Sequence, residues 1–95
     1  MVVRKGNPEG YELEKLANGI YAGVWKRVAR KLMIKDPRIA EIDEQEKEIH
    51  EKMYRVLQDW KQENGSAATW EKLYQTLMDA NLRELAEKHC CVKMN

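Results

Sequence analysis

Glycine and proline are scarce in this 95-residue chain, 5 and 2 respectively. That argues against a disordered tail or a sheet of short strands, both of which need frequent breakers. Cysteine is nearly as rare, and the two present, Cys90 and Cys91, are adjacent, which disfavours a bridge between them and offers no disulfide framework; a reducing, cytoplasmic setting fits best. No apolar run approaches the ~18 residues of a membrane span and no charged-then-apolar leader opens the chain, so neither membrane insertion nor secretion is expected. Net charge is also nearly missing: 17 Lys and Arg against 16 Asp and Glu give +1. No overall field draws in nucleic acid or anionic lipid, and any electrostatic recognition must be local.

What the chain does have is 43% hydrophobic and 35% charged residues, the balance of a folded helical protein. At this length one core burying roughly 60 to 65% of the unfolded surface is expected, in a single unit. The charge is sorted along the chain. Lys26, Arg27, Arg30, Lys31, Lys35 and Arg38 face only Asp36, and then Glu41, Asp43, Glu44, Glu46, Glu48 and Glu51 face only Lys47. Opposite patches on one small domain let copies or relatives pack head to tail.

Apolar spacing sets the helices. Residues 1–8 read as a flexible arm, after which Leu13, Leu16, Ala17 and Ile20 form the stripe of a helix over about 9–20. Trp25, Val28, Ala29 and Leu32 form a second stripe that leaves the cations outward. Asp36 and Pro37 read as a cap and first turn, with Ile39 and Ile42 inward. Ile49, Met53, Val56, Leu57 and Trp60 mark the longest helix, closed at Asn64-Gly65 by a residue able to take a left-handed conformation. Thr69 offers a cap for Trp70, Leu73, Tyr74 and Leu77, and Asn81 with Glu84 a capping box for Leu82, Leu85 and Ala86. Residues 92–95 read as a C-terminal tail. Six short helices on short connections imply an antiparallel all-α bundle. Leu16, Trp25, Val28, Leu32, Ile39, Ile42, Met53, Leu57, Trp60, Leu73, Leu77 and Leu85 are its core candidates, while Trp70, in a first turn, is expected to be partly exposed.

Catalysis has no foothold: there is no glycine-rich phosphate loop, no Cys/His pair at a working spacing and no isolated carboxylate pair among apolar neighbours. His89, Cys90 and Cys91 are contiguous and point different ways on a helix end, with only His50 besides, so neither a metal nor another cofactor is expected. Lipidation or oxidation of the two cysteines stays open.

From Trp25 to about Lys88 the chain resembles the death domain, a homotypic interaction module of apoptotic and inflammatory signalling. Trp25-Lys26-Arg27-Val28-Ala29-Arg30-Lys31-Leu32 is similar to its helix-two signature, and Ile39-Ala40-Glu41-Ile42 to its helix-three isoleucine pair. Val56-Leu57-Gln58-Asp59-Trp60, then Gly65, Ala68-Thr69 and Leu73, follow its later succession of residues. Tyr54 to Trp60 looks closest to receptor-interacting kinases, and Ala80 to Lys88 to Fas-type receptors. Met33 departs from the pattern, standing where many members end helix two with glycine.

The resemblance implies a six-helix Greek-key bundle, the death fold, over residues 9–91. It implies a non-enzymatic adaptor module in the cytoplasm that binds other death-domain proteins weakly and cooperatively, its parent a receptor tail, a kinase or an adaptor. On that basis Lys26, Arg27, Arg30, Lys31 and Arg38 form the basic partner surface, and Glu41, Asp43, Glu44, Glu48 and Glu51 the acidic one, although neutralisation of the acidic set within the same molecule is equally open. The rival reading is a helix-turn-helix nucleic-acid binder built on Trp25 to Ile34 and the Pro37-started helix. Against it, that second helix carries Glu41, Asp43 and Glu44, which repel phosphate.

Overall fold

The apolar residues that recur every three or four positions close around one core in the computed structural model, which describes residues 1–93. Six helices carry it: α1 (Gly10–Asn18), α2 (Trp25–Lys31), α3 (Asp36–Gln45), α4 (Ile49–Asn64), α5 (Trp70–Asp79) and α6 (Arg83–Cys90). α1 packs on α4, α5 packs on α6, and α2 bridges the pairs by touching both α4 and α5, with α3 against α4. A radius of gyration of 12.6 Å matches the ~12 Å expected of a compact chain this long.

Leu13, Leu16, Ile42, Met53, Leu57, Leu73 and Leu77 are almost wholly removed from solvent, and Trp25, Val28, Leu32, Ile39 and Trp60 are buried with them. No polar or charged residue is buried as a whole among the described residues, so no complete charged side chain has to be desolvated inside this core. Leu85, an expected core residue, is only half-buried. α6 turns Leu82, Ala86 and Cys90 inward at a spacing of four, which leaves Leu85 at the margin over the end of α1. There its Cδ2 lies 2.6 Å from where a Cβ on Gly19 would sit, and the missing side chain lets α6 come that close.

Trp70 also departs from expectation: it is 4% exposed. Its lid is the N-terminal segment, expected to be a flexible arm. β1 (Val2–Val3) pairs antiparallel with β2 (Cys91–Val92). The Arg4 amide donates to the Cys90 carbonyl at 2.8 Å, and the Trp70 amide to the Gly6 carbonyl at 3.0 Å. Pro8 is fully buried, and the Arg4 guanidinium lies 4.9 Å from the Trp70 ring centre. The arm is fixed because it closes helix α5's first turn and the end of α6, satisfying backbone groups that would otherwise be left open. Of the tail expected over 92–95, Val92 belongs to β2 and Met94 and Asn95 lie outside the described residues.

Turn chemistry decides the helix ends. Gly65 takes φ +54° after α4, and the Thr69 hydroxyl accepts from the Lys72 amide at 3.2 Å to cap α5. Met33 makes the α2–α3 turn at φ +69° despite its side chain, a conformation that glycine adopts freely and that carries strain for a side chain such as methionine's, and its thioether stands out in solvent. Asn81, expected to cap α6, instead takes φ +65° to close α5, and Leu82 precedes α6; asparagine tolerates this left-handed form better than most residues. Asp36 likewise does not cap α3. It is the helix's first residue, and its carboxylate is held by Arg30.

Candidate interaction surface

The apolar stripe of α2 sinks Trp25, Val28 and Ala29 into the core, which turns Lys26, Arg27, Arg30 and Lys31 outward. α3 brings carboxylates to meet Lys26 and Arg30, and α4 adds a further cation, Lys52. Lys26 Nζ lies 3.0 Å from Asp43 Oδ2, and Lys52 Nζ 2.5 Å from Asp43 Oδ1. Both ammonium groups also lie over the Trp25 ring, at 5.8 and 5.7 Å from its centre. Arg30 Nε reaches Asp36 Oδ1 at 3.2 Å. Between these pairs runs a groove of about 330 Å³ that Ile39, Ala40 and Glu44 also line.

Arg38 is the most tightly held candidate. Its Nε donates to Asp59 Oδ2 at 2.6 Å, a second nitrogen to Asp59 Oδ1 at 3.2 Å, and a third to Glu41. The two-pronged contact to Asp59 fits the flat guanidinium fork. Hydrogen bonding to Asp59 first, and then to Glu41, raises the Arg38 pKa further above an already permanent charge. Asp43 moves the other way: its bonds to Lys52, and then to Lys26, hold the carboxyl below the usual range.

The two charge blocks, separate along the chain, are therefore partly knitted together in space. Lys26, Arg30 and Arg38 spend charge on Asp43, Asp36, Glu41 and Asp59, while Glu51 lies 3.4 Å from the imidazole of His50. Arg27 donates to the Ala80 carbonyl at 2.7 Å, closing the end of α5 without losing its charge to a carboxylate. Lys31 on one side, and Glu44 and Glu48 on the other, form no ion pair among the described residues and are exposed. Arg27 and Lys31 thus leave net positive charge on α2, and Glu44, Glu48 and Glu51, offset in part by Lys47, leave net negative charge where α3 gives way to α4.

Asp59, Lys52 and Arg55, the last 3.2 Å from Glu46 of the acidic block, belong to this surface and are not among the residues expected there. Their partners sit 9 and 21 positions away in the chain, and no local spacing signals a contact between helices. Among the described residues no group of three His, Cys, Asp or Glu side chains is placed to hold a metal ion, and no helix is long and apolar enough to cross a membrane.

The family model for the death domain matches residues 11–89, from the second residue of α1 to nearly the end of α6. No curated protein matches the chain.

Proposed function

Because the chain belongs to the death-domain family and has its all-α six-helix fold, we propose that it acts by recruitment: it binds other death domains and so raises the local concentration of the signalling segments attached to them, in apoptotic or inflammatory pathways of the cytoplasm. The observation that carries this reading is the charge left over after internal pairing. Arg27 and Lys31 project from α2, and Glu44 and Glu48 from the α3–α4 junction, without carboxylate or cation partners among the described residues. A second death domain supplies the opposite charge to each.

Such contacts at an exposed rim contribute only about 0.2 to 1 kcal/mol each. Pairwise binding is accordingly weak, assembly depends on several contacts at once, and salt weakens it as the screening length falls from about 10 Å at 0.1 M to about 3 Å at 1 M. The nucleic-acid alternative gains nothing from the arrangement, since Glu41, Asp43 and Glu44 occupy the helix that would enter the groove.

The test is capture from cell lysate, with and without nuclease, by the wild-type domain and by a variant with Lys26, Arg27, Arg30 and Lys31 all changed to Glu, both first shown by circular dichroism to be folded. Retention of other death-domain proteins by wild type alone, regardless of nuclease, supports the reading. Capture that needs intact nucleic acid, or that survives in the variant, overturns it.

A further inference from the structure

A second cluster of cations lies away from α2, in a cleft of about 420 Å³ between the N-terminal segment, α1 and α6. That volume is within the roughly 300 to 1,000 Å³ of small-ligand sites. Arg4, Lys15 and Lys88 converge there from three different elements, with His89 beside them and Glu12 the one carboxylate among the described residues lining it. We propose that this cleft binds a phosphate monoester, gripped by Arg4, Lys15 and Lys88.

Arg4 is set in place beforehand. Its backbone amide is tied to Cys90, its Nη1 donates to Glu12 Oε2 at 2.7 Å, and its guanidinium lies on Trp70. A guanidinium carries five N–H donors, and Glu12 takes one of them. Arg4 Nε is shut off from solvent with no hydrogen-bond partner among the described residues, so the donors left for a ligand are those on the two terminal nitrogens that Glu12 does not take. Lys15 and Lys88 have no carboxylate partner among the described residues.

The charge balance selects the ligand. Three cations less Glu12 leave a surplus of two positive charges, which a carboxylate halves and which a phosphate monoester, carrying about −1.5 to −2 at pH 7, cancels. His89 provides the reporter. Burial, and then Lys88, Arg4 and Lys15, hold its pKa below the usual imidazole range. Tyr11 and Glu12 of α1 also border the cleft, and the imidazole Nε2 is 3.9 Å from the Cβ position of Gly19. A dianion arriving among these cations reverses their effect and favours protonated His89.

This inference is independent of the recruitment reading and is tested on the chain alone. NMR titration at constant ionic strength, in a buffer without phosphate, follows the full chain against inorganic phosphate and against an otherwise neutral phosphoserine peptide. Saturable shifts centred on Arg4, Lys15, Lys88 and His89 are expected, with a rise in the His89 pKa at saturation. The Lys15→Gln/Lys88→Gln variant is expected to bind at least about tenfold more weakly, while the charge-matched Lys35→Gln/Lys72→Gln variant, altered outside the cleft, stays within about twofold of wild type. Tighter binding of the peptide assigns the site to a phosphorylated protein, and equal affinity assigns it to a small free phosphate. Shifts spread over all basic residues, equal losses in both variants, or a His89 pKa that does not move overturn the proposal.

Discussion

Asn7→Ala is expected to destabilise the protein although Asn7 is exposed and precedes the first helix. The Asn7 amide nitrogen donates to the Ala68 carbonyl at 2.8 Å and to the Ser66 carbonyl at 3.1 Å, bolting the N-terminal segment to the loop between α4 and α5. Ser66 is exposed and regains a partner from water, but Ala68 is fully buried. Leaving one buried acceptor unpaired costs about 1 to 3 kcal/mol, of which relaxation of the loop returns part, so a loss of about 1 to 2 kcal/mol is expected. With an unfolding entropy of roughly 0.2 kcal/mol per degree for a chain of this length, Tm falls by about 5 to 10 °C. Asn7→Asp, similar in shape but without the two N–H donors, is expected to cost at least as much. Thermal unfolding followed by circular dichroism measures both. If both variants melt within about 1 °C of wild type, the segment is not bolted down and the account of residues 1–8 is wrong.

Trp60→Ala removes a buried indole and is expected to cost about 3 to 5 kcal/mol, against a total of about 5 to 14 kcal/mol for a domain this size; a folded variant with an unchanged denaturation midpoint would contradict its placement. Burial, and then the neighbouring Cys91, push the Cys90 thiol up to about 12, so alkylation of the folded protein at pH 8 is expected to label Cys91 alone, Cys90 following only in denaturant; mass spectrometry that finds Cys90 labelled first would refute this. Because the folded state lowers the His89 pKa, the unfolded chain binds the proton more tightly. The stability His89 contributes is thus complete above the unfolded value of about 6.5 and is lost as pH falls through the folded value. His89→Gln should flatten the decline in Tm below pH 6.5, and an unchanged slope would show that another group titrates there.

The helices were legible because each writes a local period. Leu13, Leu16 and Ala17, or Met53, Val56, Leu57 and Trp60, need only a helix to bring them onto one face, and Gly65 and Thr69 mark ends through their own backbone and hydroxyl chemistry. The N-terminal segment was not legible. Val2 pairs with Val92, 90 positions away, and strands of two residues have no period to read. Asn81 illustrates a competition: the residue suits both an N-cap and a left-handed helix end, and the second role won because α5 needed closing before α6 began. The candidate surface was half legible. Outward placement of the α2 cations follows from the apolar stripe, but the Arg38–Asp59 and Lys52–Asp43 pairs arise where helices meet, so how much of each charge remains for a partner could be read only from the fold.

The most direct measurement of the central claim is sedimentation velocity on two charge-reversed variants, Arg30→Glu/Lys31→Glu and Glu44→Lys/Glu48→Lys, alone and mixed. If opposite surfaces of neighbouring death domains meet, wild type associates at low salt, neither variant associates alone, and the equimolar mixture recovers association because each supplies the charge the other has lost. Variants that associate as well as wild type, or a mixture that stays monomeric while wild type associates, would contradict it.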